Sequence, residues 1–257
     1  MRPVVLVGCG RLGSAMLEGW LSTGAVDPDR LIILTPSKKP AAEAARARGA
    51  RINPSGEALA EAGCVVLAVK PALWRTAAAS LETQAADATV ISVMAGVGTA
   101  ALAEVFGGRS IARVMPTTAV AQARGVAAVW ATDPAARAVA HALFDPMADT
   151  VDLTDEALID AATAVAGSAP AFIYAFVEAL ARAGEAEGLD ADAAARLARG
   201  ALRSAGAGAE TGAPLADLIA RIASPGGTTE AGLKAMGEVA AASAAINAAV
   251  AKARTLG

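Results

Sequence analysis

A chain of 257 residues has room for one large domain or two modest ones with a real core. Alanine supplies much of the 55% apolar fraction and aromatics reach only 3%, a balance that favours helices packed closely through small side chains. A net charge of -3 gives no broad basic surface, which argues against nucleic acid as a partner. Cys9 and Cys64 stand far apart in apolar stretches and His141 is the only histidine, so neither a disulfide framework nor a metal site is expected. The chain runs straight into a strand pattern without a charged leader. Its longest uncharged runs, such as residues 161–177 with Gly167, Ser168 and Pro170, are short and small-residue-rich for a membrane span. A cytoplasmic protein with no membrane partner is the expectation.

In chain order, residues 3–8 read Pro-Val-Val-Leu-Val-Gly, a continuous apolar run typical of a strand buried on both faces. It leads into Gly8-Cys9-Gly10-Arg11-Leu12-Gly13 and a helix expected over about 14–22. In such a turn the first glycine makes the bend, the second admits a pyrophosphate and the third lets helix and strand pack closely. The next strand, 31–34, ends in Thr35-Pro36-Ser37-Lys38-Lys39. An NAD-preferring site commonly has Asp or Glu there. This strand end has no carboxylate, and Ser37, Lys38 and Lys39 can hold a 2′-phosphate, so NADPH is expected, with NADH left open. A solvated lysine pair is the bland alternative.

A helix over 41–48 follows, residues 53–55 start another short one, and 64–69 form a third strand ending at Lys70-Pro71. Strand ends at this edge of a doubly wound sheet face the ligand crevice, which puts Lys70 either near the cofactor or in solvent. Strands are expected at 89–93, 110–114, 125–131 and 150–153, with helices from 99 to 106 and from 134 to 144. His141, mid-helix and away from every strand end, reads as surface or packing. The alternation predicts an α/β domain with a mostly parallel sheet over residues 1–154.

Beyond residue 154 the strand signals stop. Helical patterns cover about 156–166, 168–187, 191–210, 215–223 and 228–253, punctuated by Gly188, Gly212 and Gly226. Phe172, Phe176 and Leu180 make an apolar stripe, as do Leu233, Met236, Val239, Ile246 and Val250. A thin helical domain, 155–257, has more apolar face than it can hide alone, so pairing with a second copy is expected; packing on its own first domain is the competing account. Helix-face carboxylates such as Glu178, Glu185 and Glu187 read as solvated. Between two helices lies Ser224-Pro225-Gly226-Gly227-Thr228-Thr229-Glu230, a turn opening a helix whose serine and threonines can cap it and whose free amides suit a carboxylate or phosphate. The residues alone give an NADPH-dependent reductase of an anion-bearing substrate.

Six segments then resemble, in order and spacing, the pyrroline-5-carboxylate reductase family over nearly the whole chain. They are residues 8–13, Val69-Lys70-Pro71, Ser92-Val93-Met94-Ala95-Gly96-Val97, Arg113-Val114-Met115-Pro116, Gly167-Ser168-Ala169-Pro170-Ala171-Phe172 and Ser224-Pro225-Gly226-Gly227-Thr228-Thr229. The last is the most specific, since most other Rossmann reductases lack it. Thr117 stands where the family usually has Asn, and Ala169 and Phe172 where it usually has Gly and Tyr.

The resemblance implies an N-terminal Rossmann-type domain and an all-helical dimerisation domain, in a homodimer or a higher homo-oligomer built from dimers. It implies reduction of 1-pyrroline-5-carboxylate to L-proline by NADPH. Implied cofactor residues are Gly8, Gly10, Arg11, Leu12, Gly13, Ser37, Lys38, Lys39, Val69, Lys70, Pro71, Ala95, Gly96, Met115 and Pro116. Gly226, Gly227, Thr228 and Thr229 would bind substrate, with Thr229 polarising the imine nitrogen and Ser224 assisting. A 3-hydroxyacid dehydrogenase would need a lysine early in the helical half, and none lies between Lys70 and Lys234. Reduction of another cyclic imine acid, or an NADPH-binding regulator without turnover, are the alternatives.

Overall fold

The computed structural model of the chain describes residues 2–79, 81, 85–236 and 240–256. It divides into two compact units, Met1–Gly167 together with Ile246–Gly257, and Ser168–Ala245.

The first unit is built on an eight-stranded sheet. Its strands are β1 (Val4–Val7), β2 (Leu31–Leu34), β3 (Arg51–Ile52), β4 (Cys64–Leu67), β5 (Thr89–Ser92), β6 (Ile111–Pro116), β7 (Gly125–Ala131) and β8 (Ala148–Asp152), in the spatial order β3-β2-β1-β4-β5-β6-β7-β8. The first six in that order are parallel. Alternation along β1 explains its unbroken apolar run. Val4 and Leu6 enter one core with Met16, Trp20 and Phe144, while Val5 and Val7 enter the other with Trp74, Leu102 and Phe106. Helices α1 (Arg11–Thr23), α2 (Pro40–Ala47), α3 (Trp74–Ala78), α4 (Thr99–Phe106) and α5 (Pro134–Phe144) close the two faces. This is the doubly wound α/β arrangement that the sequence pattern predicts.

Several local expectations are corrected. Helix α1 starts at Arg11, not near residue 14, because Gly13 lies inside its first turn. No helix starts at Asn53, which takes a left-handed conformation (φ 46°); the short 3₁₀ turn comes later, at Gly56–Leu59. Within the mostly parallel sheet that the pattern predicts, β7 runs antiparallel to β6, since residues 117–124 are too few for a parallel crossover of about a dozen or more residues. His141 is not remote from every strand end: its Nε2 lies 3.3 Å from Asp152, the last residue of β8.

Residues expected as one helix from about 156 form α6 (Leu158–Ala162) and then a wide π-type turn, Thr163–Ser168. In the second unit, α7 (Ala169–Ala186) and α8 (Ala191–Ala209) are neighbours in a hairpin turned by Gly188 (φ 98°), with Asp190 capping α8 through the Ala193 amide. α9 (Leu215–Ile222) and α10 (Thr228–Met236) follow, and α11 (Ala240–Arg254) supplies Ile246 onward to the first unit. Val239 of the expected stripe lies outside the described residues.

No residue of α7 is buried; Phe176 is 50% exposed and Tyr174 65%. The helical stretch Leu158–Ala186 is, by length and composition, apolar enough to cross a membrane. The uncharged run within it still ends at Val177, since Glu178 follows.

Candidate functional site

The nucleotide turn follows from what its neighbours leave room for. Gly8 holds φ 96° and donates its amide to the Leu34 carbonyl; a Cβ there would stand 2.6 Å from the Ala68 oxygen. A Cβ on Gly13 would collide with the Gly8 carbonyl, so only glycine lets α1 pack this close to β1. Gly10 faces open space. Arg11, exposed, and Leu12, half-buried, form the first turn with Gly13, and the amides of that turn have no acceptor within α1. A helix start of this kind favours an anion.

At the end of β2, Thr35, Pro36, Ser37, Lys38 and Lys39 line a hollow of about 190 Å³ with Ala42, Glu43, Ile52 and Asn53. Asn53 shapes it: its Oδ1 accepts the Thr35 amide (2.9 Å) and its Nδ2 donates to the Thr35 carbonyl (2.8 Å). Ser37 and Lys38 are exposed and Lys39 half-buried. Glu43 brings a carboxylate to the hollow that the strand-end reading did not count, and Arg46 is ion-paired with it.

Because β1, β4, β5 and β6 are parallel, their C-terminal ends share one edge. That edge brings together Gly8–Gly13, Val69-Lys70-Pro71 after β4, Ala95-Gly96 after β5, and Met115-Pro116 ending β6. Lys70 is exposed and Met115 buried. Thr117, where the family usually has Asn, is buried and committed to the sheet: its Oγ1 accepts the Val126 amide at 3.2 Å. Cys64 is no nucleophile, since burial pushes its thiol well above the ordinary range.

The remaining candidates belong to the second unit. Gly226 holds φ 73° and donates its amide to Glu230 Oε2 (2.7 Å), while Gly227 donates to the Ser224 carbonyl (3.0 Å). A Cβ on Gly227 would lie 2.7 Å from Ser224 Oγ, which accounts for the second glycine. The fastening side chain is therefore Glu230, not the serine or threonines that the composition of the turn suggested. A glutamate in the first turn of a helix is favoured there, a local signal that sequence reasoning passed over. With the Gly227 amide used inside the turn, the amides free to meet an anion are those of Thr228, Thr229 and Glu230 at the start of α10.

Sequence reasoning also missed Glu156. Its Oε1 accepts the Thr99 amide (2.7 Å) and Arg113 Nη1 (3.1 Å), and its Oε2 accepts the Thr99 hydroxyl (2.6 Å). Both partners are distant in sequence, so no local pattern announces it.

Known proteins share this architecture. Residues 156–256 match the family model for pyrroline-5-carboxylate reductase dimerisation, and residues 3–96 that for NADP oxidoreductase, coenzyme F420-dependent. Pyrroline-5-carboxylate reductase 2 of Bacillus subtilis is 31% identical over 247 residues, covering 92% of this chain and 87% of its own. The structure of a pyrroline-5-carboxylate reductase from Coxiella burnetii aligns with a TM-score of 0.88 at 26% identity, over 99% of this chain and 98% of that one. A Plasmodium falciparum pyrroline carboxylate reductase with NADP bound aligns with a TM-score of 0.84 at 24% identity, covering 100% and 98%.

Proposed function

The chain belongs to the pyrroline-5-carboxylate reductase family, and we propose that it reduces 1-pyrroline-5-carboxylate to L-proline with NADPH, the last step of proline synthesis. The observation that supports this reading is a likeness running through both units: the matched ranges 3–96 and 156–256 hold the glycine turn of α1 and the turn that opens α10.

NADPH supplies a hydride when bound, and the chain supplies position and polarisation. The first-turn amides of α1 take the pyrophosphate, Ser37 with Lys38 and Lys39 the 2′-phosphate, and the loops at Val69–Pro71, Ala95-Gly96 and Met115-Pro116 the nicotinamide end. On α10 the amides of Thr228 and Thr229 hold the substrate carboxylate, with Ser224 assisting. The Thr229 hydroxyl makes no hydrogen bond among the described residues and donates to the imine nitrogen. Hydride adds to the imine carbon, the C=N π pair moves to nitrogen, and nitrogen takes a proton; the products are proline and NADP⁺.

The unburied faces of α7, α9 and α10 make the working unit a homodimer or a larger assembly of dimers, acting in the cytoplasm. Mixing the purified protein with NADPH and the pyrroline acid should consume nicotinamide absorbance and yield proline in equal amount, faster than with NADH. A protein that binds NADPH yet reduces no five- or six-membered imine acid is a regulator, and that result overturns the reading.

A further inference from the structure

The hydrogen bonds on the Glu156 carboxylate join two segments that the proposed cofactor site needs in register. Thr99 opens α4 directly after the turn Met94–Gly98, which carries Ala95 and Gly96. Arg113 lies in β6 opposite Ser92, close before Met115 and Pro116. Glu156 is 57 residues from Thr99 and 43 from Arg113, so the contact is made by the fold and not by the local chain. Arg113 is 5% exposed, and its Nε and Nη2 have no acceptor. Among the described residues its one partner is Glu156, and a buried guanidinium with so little support depends heavily on that carboxylate. The same carboxylate fills the N-terminus of α4, which closes that helix start to a phosphate and makes it a brace instead.

We propose that Arg113 and Glu156 are positioning residues for hydride transfer: the brace fixes Ala95-Gly96 against Met115-Pro116 and so fixes where the nicotinamide ring is held. The inference rests on the reductase reading above. Two variants test it. Glu156→Gln keeps the shape and removes the charge; Thr99→Val removes only the hydroxyl bond and keeps the ion pair, so it decides the matter if the first fails to fold. NADPH affinity is read from cofactor fluorescence, hydride transfer from the isotope effect with NADPH deuterated at C4, and folding from thermal melting.

Glu156→Gln should weaken NADPH binding about ten-fold or more, the worth of a hydrogen bond to a charged group. Thr99→Val should weaken it about three- to ten-fold, the worth of one hydrogen bond. In both, the isotope effect should rise as hydride transfer becomes the slow step. Variants that melt earlier but keep the parent's NADPH affinity and isotope effect would make the brace purely structural and overturn the inference. Should the parent bind NADPH without reducing the pyrroline acid, the reductase reading fails, while the binding measurement still decides whether the brace positions the cofactor.

Discussion

The Thr229 hydroxyl at the head of α10 is the side-chain donor assigned to the imine nitrogen. Thr229→Ala should lower kcat about ten- to a thousand-fold, as loss of one positioned donor does, and Thr229→Ser should restore most of it; steady-state kinetics check both. Lys38, proposed to meet the 2′-phosphate of the cofactor, is exposed, so such a contact would be screened by solvent and modest. Lys38→Ala should raise the KM for NADPH about three- to ten-fold and leave the KM for NADH unchanged. Residues such as Gly8, Gly13 and Gly227 were legible in the sequence because each answers a local steric demand, a Cβ that has no room. Glu156 was not, because its partners come from distant strands and helices. Glu230 lies between these cases: its bond is local, but serine and threonine offered a more familiar cap.

At the scale of elements, α5 and the edge strand β8 are fastened by one cluster. His141 Nδ1 meets Asp145 Oδ1 at 2.9 Å, Nε2 faces Asp152, Thr150 Oγ1 donates to Asp145 (2.6 Å), and Arg137 pairs with Asp152 (2.7 Å). The hydrogen bond to Asp145 raises the His141 pKa above its ordinary 6.5, against burial, with Asp152 adding to the rise. Burial pushes the Asp145 carboxyl up, but bonds from Thr150 and His141 bring it below its ordinary 3.8. A raised histidine contributes stability that is full below its unfolded pKa and lost as pH rises through the folded one. A depressed carboxylate contributes above its unfolded pKa and loses it as pH falls through the folded value. The fastening is therefore strongest between those two ordinary values. His141→Asn should melt earlier than the parent by up to about 2–4 °C near pH ~5.5, and by less near pH ~8, in thermal scans. The antiparallel turn of β7 was open to the same kind of sequence argument, since the connection after Pro116 is short, whereas β3, two residues long, leaves no periodicity to read.

For the whole molecule, the stripe of Phe172, Phe176 and Leu180 was readable from spacing alone, and the fold leaves all three more than a third exposed. Phe176→Glu should weaken self-association about thirty-fold or more, giving monomers in sedimentation where the parent sediments as a dimer or larger. What spacing did not reveal is that the chain leaves the sheet unit at Gly167 and returns to it at Ile246. Ala253 is 4% exposed within that unit, and Arg254 lines a cleft with Arg113 and Glu156. On the ribosome, where domains usually finish one after another from the N-terminal side, this order is denied. The sheet unit lacks its last segment until the helices following it have been synthesised and the stretch from 246 has emerged. A nascent chain halted near residue 200 would therefore be poor prey for an NADP affinity resin, although every strand of the sheet had already been made.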